Sequence, residues 1–192
     1  MSLVIAGHND NEIVIAFDNL SRSTKTGSRE PDSTIEKVKR INSKLAYLMT
    51  GRFMSDKLQF VKDYAYSTRS TTELDPAFWS LYHTAKRLMV VHPSEGFRLG
   101  LAGFNAGIPG FKCITAQHGH EIVPEGATLN YYASGEREPV VLSEERIQAS
   151  SIPQRPPTDE ITNILSSIVK ECIDAYPATL GDPVRTLVLS NL

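Results

Sequence analysis

The first nineteen residues, MSLVIAGHNDNEIVIAFDN, constrain the fold more than any other stretch. Leu3 to Ala6 and Glu12 to Asp18 are rich in Val and Ile, with Gly7-His8-Asn9-Asp10-Asn11 between them, so they predict a β-hairpin. Both runs are almost continuously apolar. A strand with one wet face alternates apolar and polar residues, so unbroken apolar runs call for a sheet covered on both faces. The chain must therefore supply a layer on each side of this hairpin. Its 192 residues, 41% of them hydrophobic, suffice for a sizeable core and fit one domain over 1–192.

Further elements follow from local signals. Residues 19–34 are polar and turn-rich and read as a loop. Glu36 to Ile41 is a short basic stretch, and Lys44 to Gly51 reads as a strand ending on glycine. Ser55 to Thr68 has helical spacing, with Ser55 as N-cap. Asp75-Pro76 opens a helix running to about Val91, with Asp75 as N-cap and Pro76 at the first helical position. Strands are expected at Phe97 to Phe104 and Phe111 to Ala116, around a Gly/Pro turn, and at Ala127 to Ala133. Residues 136–157 contain four prolines and read as irregular. Thr158-Asp159-Glu160 caps a helix to about Tyr176, and Val184 to Leu189 is a final strand. Strands cluster and helices cluster, so the expected class is α+β, with two apolar sheets carrying helices on their outer faces.

Composition narrows the function. A net charge of −2 points to neither a nucleic-acid nor a membrane partner. No run is long enough to span a bilayer, and the N-terminus lacks the basic stretch and unbroken apolar core of a signal peptide. The chain is expected to start at Met1 or, after trimming, at Ser2. Cys113 and Cys172 have no metal or redox spacing and read as buried, reduced thiols, which suits the cytoplasm. His118-Gly119-His120 lacks a third metal ligand, and the glycines between Gly96 and Gly110 come without a phosphate-loop lysine. No metal and no cofactor are expected.

Four residues stand at the ends of the early elements: Ser2, Asp18, Lys37 and Gly51. Ser2 and Asp18 are 16 residues apart, and Lys37 and Gly51 are 14 apart. Taken singly, each has an ordinary reading, as a residue after methionine, a turn aspartate, part of a solvated basic face and a turn glycine. At these separations, together with EKVKRINSKLAYLMTG, LGLAGFNAGIPGFKCITAQHG and Tyr132-Ala133-Ser134-Gly135, the chain resembles proteasome β subunits and the bacterial HslV peptidase. These are N-terminal-nucleophile hydrolases, and the resemblance covers essentially the whole chain. It implies a four-layer αββα sandwich. No helix of the proteasome α type precedes the first strand, so the likeness is to the catalytic branch.

The resemblance gives each residue a role. After removal of Met1, Ser2 would supply both the nucleophilic hydroxyl and, through its own α-amine, the base. An α-amine has an ordinary pKa of roughly 8, close to the working range for proton transfer. Lys37 would favour the unprotonated amine and stabilise the developing alkoxide, and Asp18 would hold Lys37 charged and oriented. The Gly51 N–H would face the oxyanion, and Ser134 would support the amine. Met49 falls where the family floors the pocket for the residue preceding the scissile bond, which implies an apolar preference. Methionine is also a common core filler, so both readings stand. Arg22 sits where a substrate-gripping threonine is usual. Ser2 replaces the usual threonine, which implies slower turnover. The family's late aspartate corresponds to Asp174 or to Asp182.

The activity implied is hydrolysis of peptide bonds in polypeptide substrates, inside a homo-oligomeric ring partnered by an AAA+ ATPase. Two other readings share the fold: a catalytically inactive ring or scaffold subunit, and an amidase acting on a small molecule.

Overall fold

The computed structural model describes residues 3–19, 37–51, 63–64, 66–91, 97–116, 123–127, 131–135, 137–150 and 156–192. The fold is mixed α+β, with two antiparallel sheets and, among the described residues, three long helices. The strands are β1 (Leu3–His8), β2 (Glu12–Phe17), β3 (Val38–Arg40), β4 (Ala46–Gly51), β5 (Phe97–Asn105), β6 (Ile108–Ala116), β7 (Val123–Ala127), β8 (Tyr131–Gly135) and β9 (Arg185–Ser190). The helices are α1 (Leu74–Val91), α2 (Arg137–Ala149) and α3 (Thr158–Ala175). One sheet has the order β8-β1-β2-β9, the other β3-β4-β5-β6-β7.

The opening hairpin forms as the sequence predicts. Val4 pairs with Phe17 and His8 with Ile13. The Asn9 side chain closes the turn, its Oδ1 accepting the N–H groups of Asn11 (3.0 Å) and Glu12 (2.9 Å).

The unbroken apolar runs now have an explanation. Side chains alternate across a strand. Val4, Ala6, Ile13 and Ile15 enter a cluster with Ala46, Leu48, Ala102, Phe104 and Phe111 of the five-stranded sheet. Leu3, Ile5, Val14 and Ala16 enter a different cluster, with Ile147 of α2 and Ile161, Leu165, Ile168, Val169 and Cys172 of α3. A third cluster joins Tyr47, Met49, Leu99, Leu101 and Ile114 to Leu74, Ala77, Phe78, Leu81 and Ala85 of α1. Each fully buried Leu, Ile or Phe contributes about 1.5–3 kcal/mol by leaving water.

Several elements differ from the sequence-based expectation. The β5–β6 turn is Ala106-Gly107 (φ 46° and 83°), with Asn105 paired to Ile108, and Pro109-Gly110 lies within β6. Positive φ at both central positions is the type I′ turn, whose twist matches that of the flanking strands, and that geometry outweighed the Gly/Pro composition. The strand expected over 127–133 is two strands in different sheets, β7 and β8. The region expected to be irregular after Gly135 contains the 13-residue helix α2. Pro139 is its third residue, where an N–H has no intrahelical partner, so the proline breaks nothing. The basic stretch at 36–41 contains the short strand β3.

Two expected caps also differ. Helix α1 starts at Leu74, so Asp75 lies inside it. The Asp75 carboxylate instead accepts from Asn105 Nδ2 (2.6 Å) and Lys112 Nζ (2.6 Å), tying the helix start to the hairpin. The N-cap of α3 is Pro157, with no side-chain cap, while Thr158 bonds to Glu12 and Asn9. Of the helix expected over 55–68, residues 63, 64, 66 and 67 are helical, Thr68 lies in the turn that follows, and the rest lies outside the described residues. So do His118 and His120.

Two predictions arise from the core. A Cβ at Gly103 would overlap Leu45 Cδ2 and come within 3.1 Å of the Lys44 carbonyl oxygen. Gly103→Ala is expected to cost about 1–3 kcal/mol, read from the urea midpoint. Cys172 is a free, buried thiol that burial pushes up to about 11 from the ordinary 9.0. It should resist iodoacetamide at pH 7.5 in the native protein and react fully in denaturant, as intact mass would show. Between pH 9 and 11 the unfolded chain loses this proton first, so the thiol's contribution to stability falls as pH rises through that window.

Candidate functional site

The ends of five strands meet at one corner. In the four-stranded sheet, Leu3 opens β1 and pairs with Gly135 at the end of β8, while Asp18 directly follows β2. In the five-stranded sheet, Lys37 directly precedes β3, and β4 ends at Gly51, which pairs with Phe97. Antiparallel pairing within each sheet brings these ends together. A buried ion pair joins one sheet to the other.

That pair is Lys37 and Asp18. Lys37 Nζ lies 2.7 Å from Asp18 Oδ1 and also donates to the Asp18 backbone oxygen at 3.2 Å. The two side chains are 6% and 0% exposed. Asp18 Oδ1 also accepts the Leu3 backbone N–H at 2.7 Å, and Oδ2 accepts the Gly181 N–H at 3.3 Å. The Asp18 N–H donates in turn to the Leu3 carbonyl at 3.2 Å. On the other side, the Lys37 carbonyl accepts the Met49 N–H at 2.7 Å, which ties the lysine to β4.

The electrostatics follow from burial. An ammonium out of water is costly, and burial pushes Lys37 below the ordinary lysine value of 10.5. The charge and hydrogen bond of Asp18 oppose that shift. Lys37 is therefore a cation held by one carboxylate and easier to deprotonate than a surface lysine. An ammonium has three N–H donors. Among the described residues, Nζ spends two of them, both on Asp18.

Asp18 and Lys37 thus meet at the strand ends, and Gly51 lies two residues beyond Met49, whose N–H donates to the Lys37 carbonyl. Ser134 lies in β8 opposite Val4, one step from the Leu3–Gly135 pair. Met49 is 3% exposed, and its side chain belongs to the cluster with Tyr47, Tyr64 and Leu99. Ser2 and Arg22 lie outside the described residues. Asp174 and Asp182 both bind Lys170 at the surface, at 3.1 and 2.9 Å.

Two contributors escape a reading based on side chains. The Leu3 and Gly181 groups that hold Asp18 are backbone N–H donors. The only sequence trace of the second is the turn signal Gly181-Asp182-Pro183. No protein-family model matches the chain, and no curated protein matches it.

Proposed function

We propose that the chain is a peptidase of the proteasome-like N-terminal-nucleophile type, with Ser2 as nucleophile after removal of Met1. The observation that carries the reading is the shared carboxylate oxygen. Asp18 Oδ1 accepts both the Lys37 ammonium and the N–H of Leu3, the residue bonded to Ser2. One buried group thereby fixes a cation and the backbone next to the chain terminus. A nucleophile at a terminus needs that restraint, because termini otherwise fray.

In this reading the Ser2 amine takes the hydroxyl proton as the oxygen attacks the substrate carbonyl. The remaining Lys37 donor stabilises the developing alkoxide, and the Gly51 N–H receives the oxyanion. Ser134 supports the amine and Arg22 contacts substrate, while the burial of Met49 among Tyr47, Tyr64 and Leu99 favours its reading as a core filler. The fold proposed is the four-layer αββα sandwich of this family. Its support is the three clusters, one between the sheets and one between each sheet and its helices. The chain is further proposed to act in the cytoplasm, in a homo-oligomeric ring that receives unfolded polypeptide from an AAA+ ATPase. No helix among the described residues is long and apolar enough to cross a membrane.

The test is intact mass before and after a peptide epoxyketone, which closes a ring using a terminal hydroxyl and the adjacent free amine. Loss of Met1 with one stoichiometric adduct on Ser2 is expected. Retained Met1 and no adduct, in protein recovered from its native host, would overturn the peptidase and favour the inactive scaffold subunit. Adduct formation by an open monomer that cleaves only small amides would favour the amidase.

A further inference from the structure

We propose that Gly181 is a positioning residue for the Asp18–Lys37 pair, acting through its backbone N–H; its catalytic consequence rests on the peptidase reading. Both backbone polar groups of Gly181 serve the same dipeptide. Its N–H donates to Asp18 Oδ2 at 3.3 Å, and its carbonyl accepts the Asn19 N–H at 2.9 Å.

The local chain explains why Gly181 stands there. Strands β2 and β9 pair Phe17 with Arg185. Continued two residues further, that register would set Pro183 opposite Asn19. Proline has no N–H, so the ladder cannot continue through it. Gly181 takes over the pairing instead. Its flanks are held on both sides. Leu180 is 1% exposed in the cluster beneath α3, and its N–H donates to the Tyr176 carbonyl at 3.0 Å. Asp182 is tied to Lys170 at 2.9 Å.

The consequence lies in the plane of the carboxylate. Aspartate χ2 is a broad torsion with no sharp well of its own. Oδ1 alone carries the Leu3 and Lys37 bonds, so rotation about χ2 would swing it away from Nζ. The donor at Oδ2 resists that rotation and fixes the direction in which the lysine is pulled.

Replacing only the Leu180–Gly181 amide by an ester tests this. The chain can be joined at the native Cys172, from recombinant residues 1–171 as a thioester and a synthetic 172–192 peptide with glycolic acid at 181. The ester deletes the N–H and keeps the carbonyl that serves Asn19. An all-amide ligated chain is the control. With ¹⁵N in the recombinant part, the Lys37 ammonium is expected to exchange its protons about two- to tenfold faster in the ester, the factor for one hydrogen bond. The epoxyketone inactivation constant should fall by a similar factor with the binding constant unchanged. In the Lys37→Met background the ester should cause no further fall.

Equal exchange rates in the two chains would overturn the proposal, as would an equal ester effect in the Lys37→Met background. Faster exchange in the ester, with no adduct on either chain, would uphold the positioning role and overturn the peptidase. The recombinant Gly181→Pro variant deletes the same donor and is expected to change exchange in the same direction, which gives the test a second route if the ester chain does not refold.

Discussion

Asp18→Ala is expected to lower the unfolding free energy by about 3–5 kcal/mol, the usual cost of leaving a buried charge without its partner. The substitution strands the Lys37 ammonium, which is 6% exposed, and removes the acceptor for the Leu3 and Gly181 N–H groups. A domain of this size is stable by only about 5–15 kcal/mol, so the loss is a large fraction of the whole. Lys37→Met should cost a comparable amount, because it takes the Lys37 ammonium away from a carboxylate that is fully buried. The double variant Asp18→Ala/Lys37→Met should lose clearly less than the two singles together, since it removes both members of the pair. Urea unfolding of the four proteins measures this cycle. A loss below about 1 kcal/mol for Asp18→Ala would put the pair in the class of exposed ion pairs, contrary to its burial.

The second large effect concerns rate. Under the proposed mechanism, Ser2→Ala should form no epoxyketone adduct, because it lacks the hydroxyl that attacks. Lys37→Met should slow adduct formation by about 10²–10⁴-fold, the range for a group that assists proton transfer in the transition state. The comparison is made per folded molecule, with the folded fraction taken from the urea curves, so lost stability is not counted as lost chemistry. Adduct on Ser2→Ala would place the nucleophile elsewhere. An unchanged rate in Lys37→Met would leave the buried pair a structural role only.

The unfolding cycle and the rate comparison separate what the ion pair does for the fold from what it does for the reaction. Both predictions rest on its position between the sheets. Lys37 is tied to β4 through the Met49 N–H and to the first strand through Asp18 and Leu3. A change at either partner therefore reaches both sheets.

Some of this was legible in the residues themselves. The two apolar runs in residues 3–17 call for a hairpin covered on both faces, because alternate side chains of each run must leave water in opposite directions. The periodic stripes of α1 and α3 identify helices for the same reason. The hydrophobic pattern carries this information locally. It does not carry the destination of a strand, and β7 and β8 show the limit: two segments separated by three residues join different sheets. Nor does local composition reveal that Pro139 falls in a first helical turn, where its missing N–H costs nothing.

The site divides in the same way. The sequence by itself determined the side chains, with Asp18 placed at the end of a strand and Lys37 in a short basic stretch. Only the tertiary structure decided that they meet, because antiparallel registry within each sheet and packing between the sheets bring them to one corner. The backbone donors of Leu3 and Gly181 belong wholly to that second level. Every residue but proline has an N–H, so composition cannot mark which two of them will face a buried carboxylate.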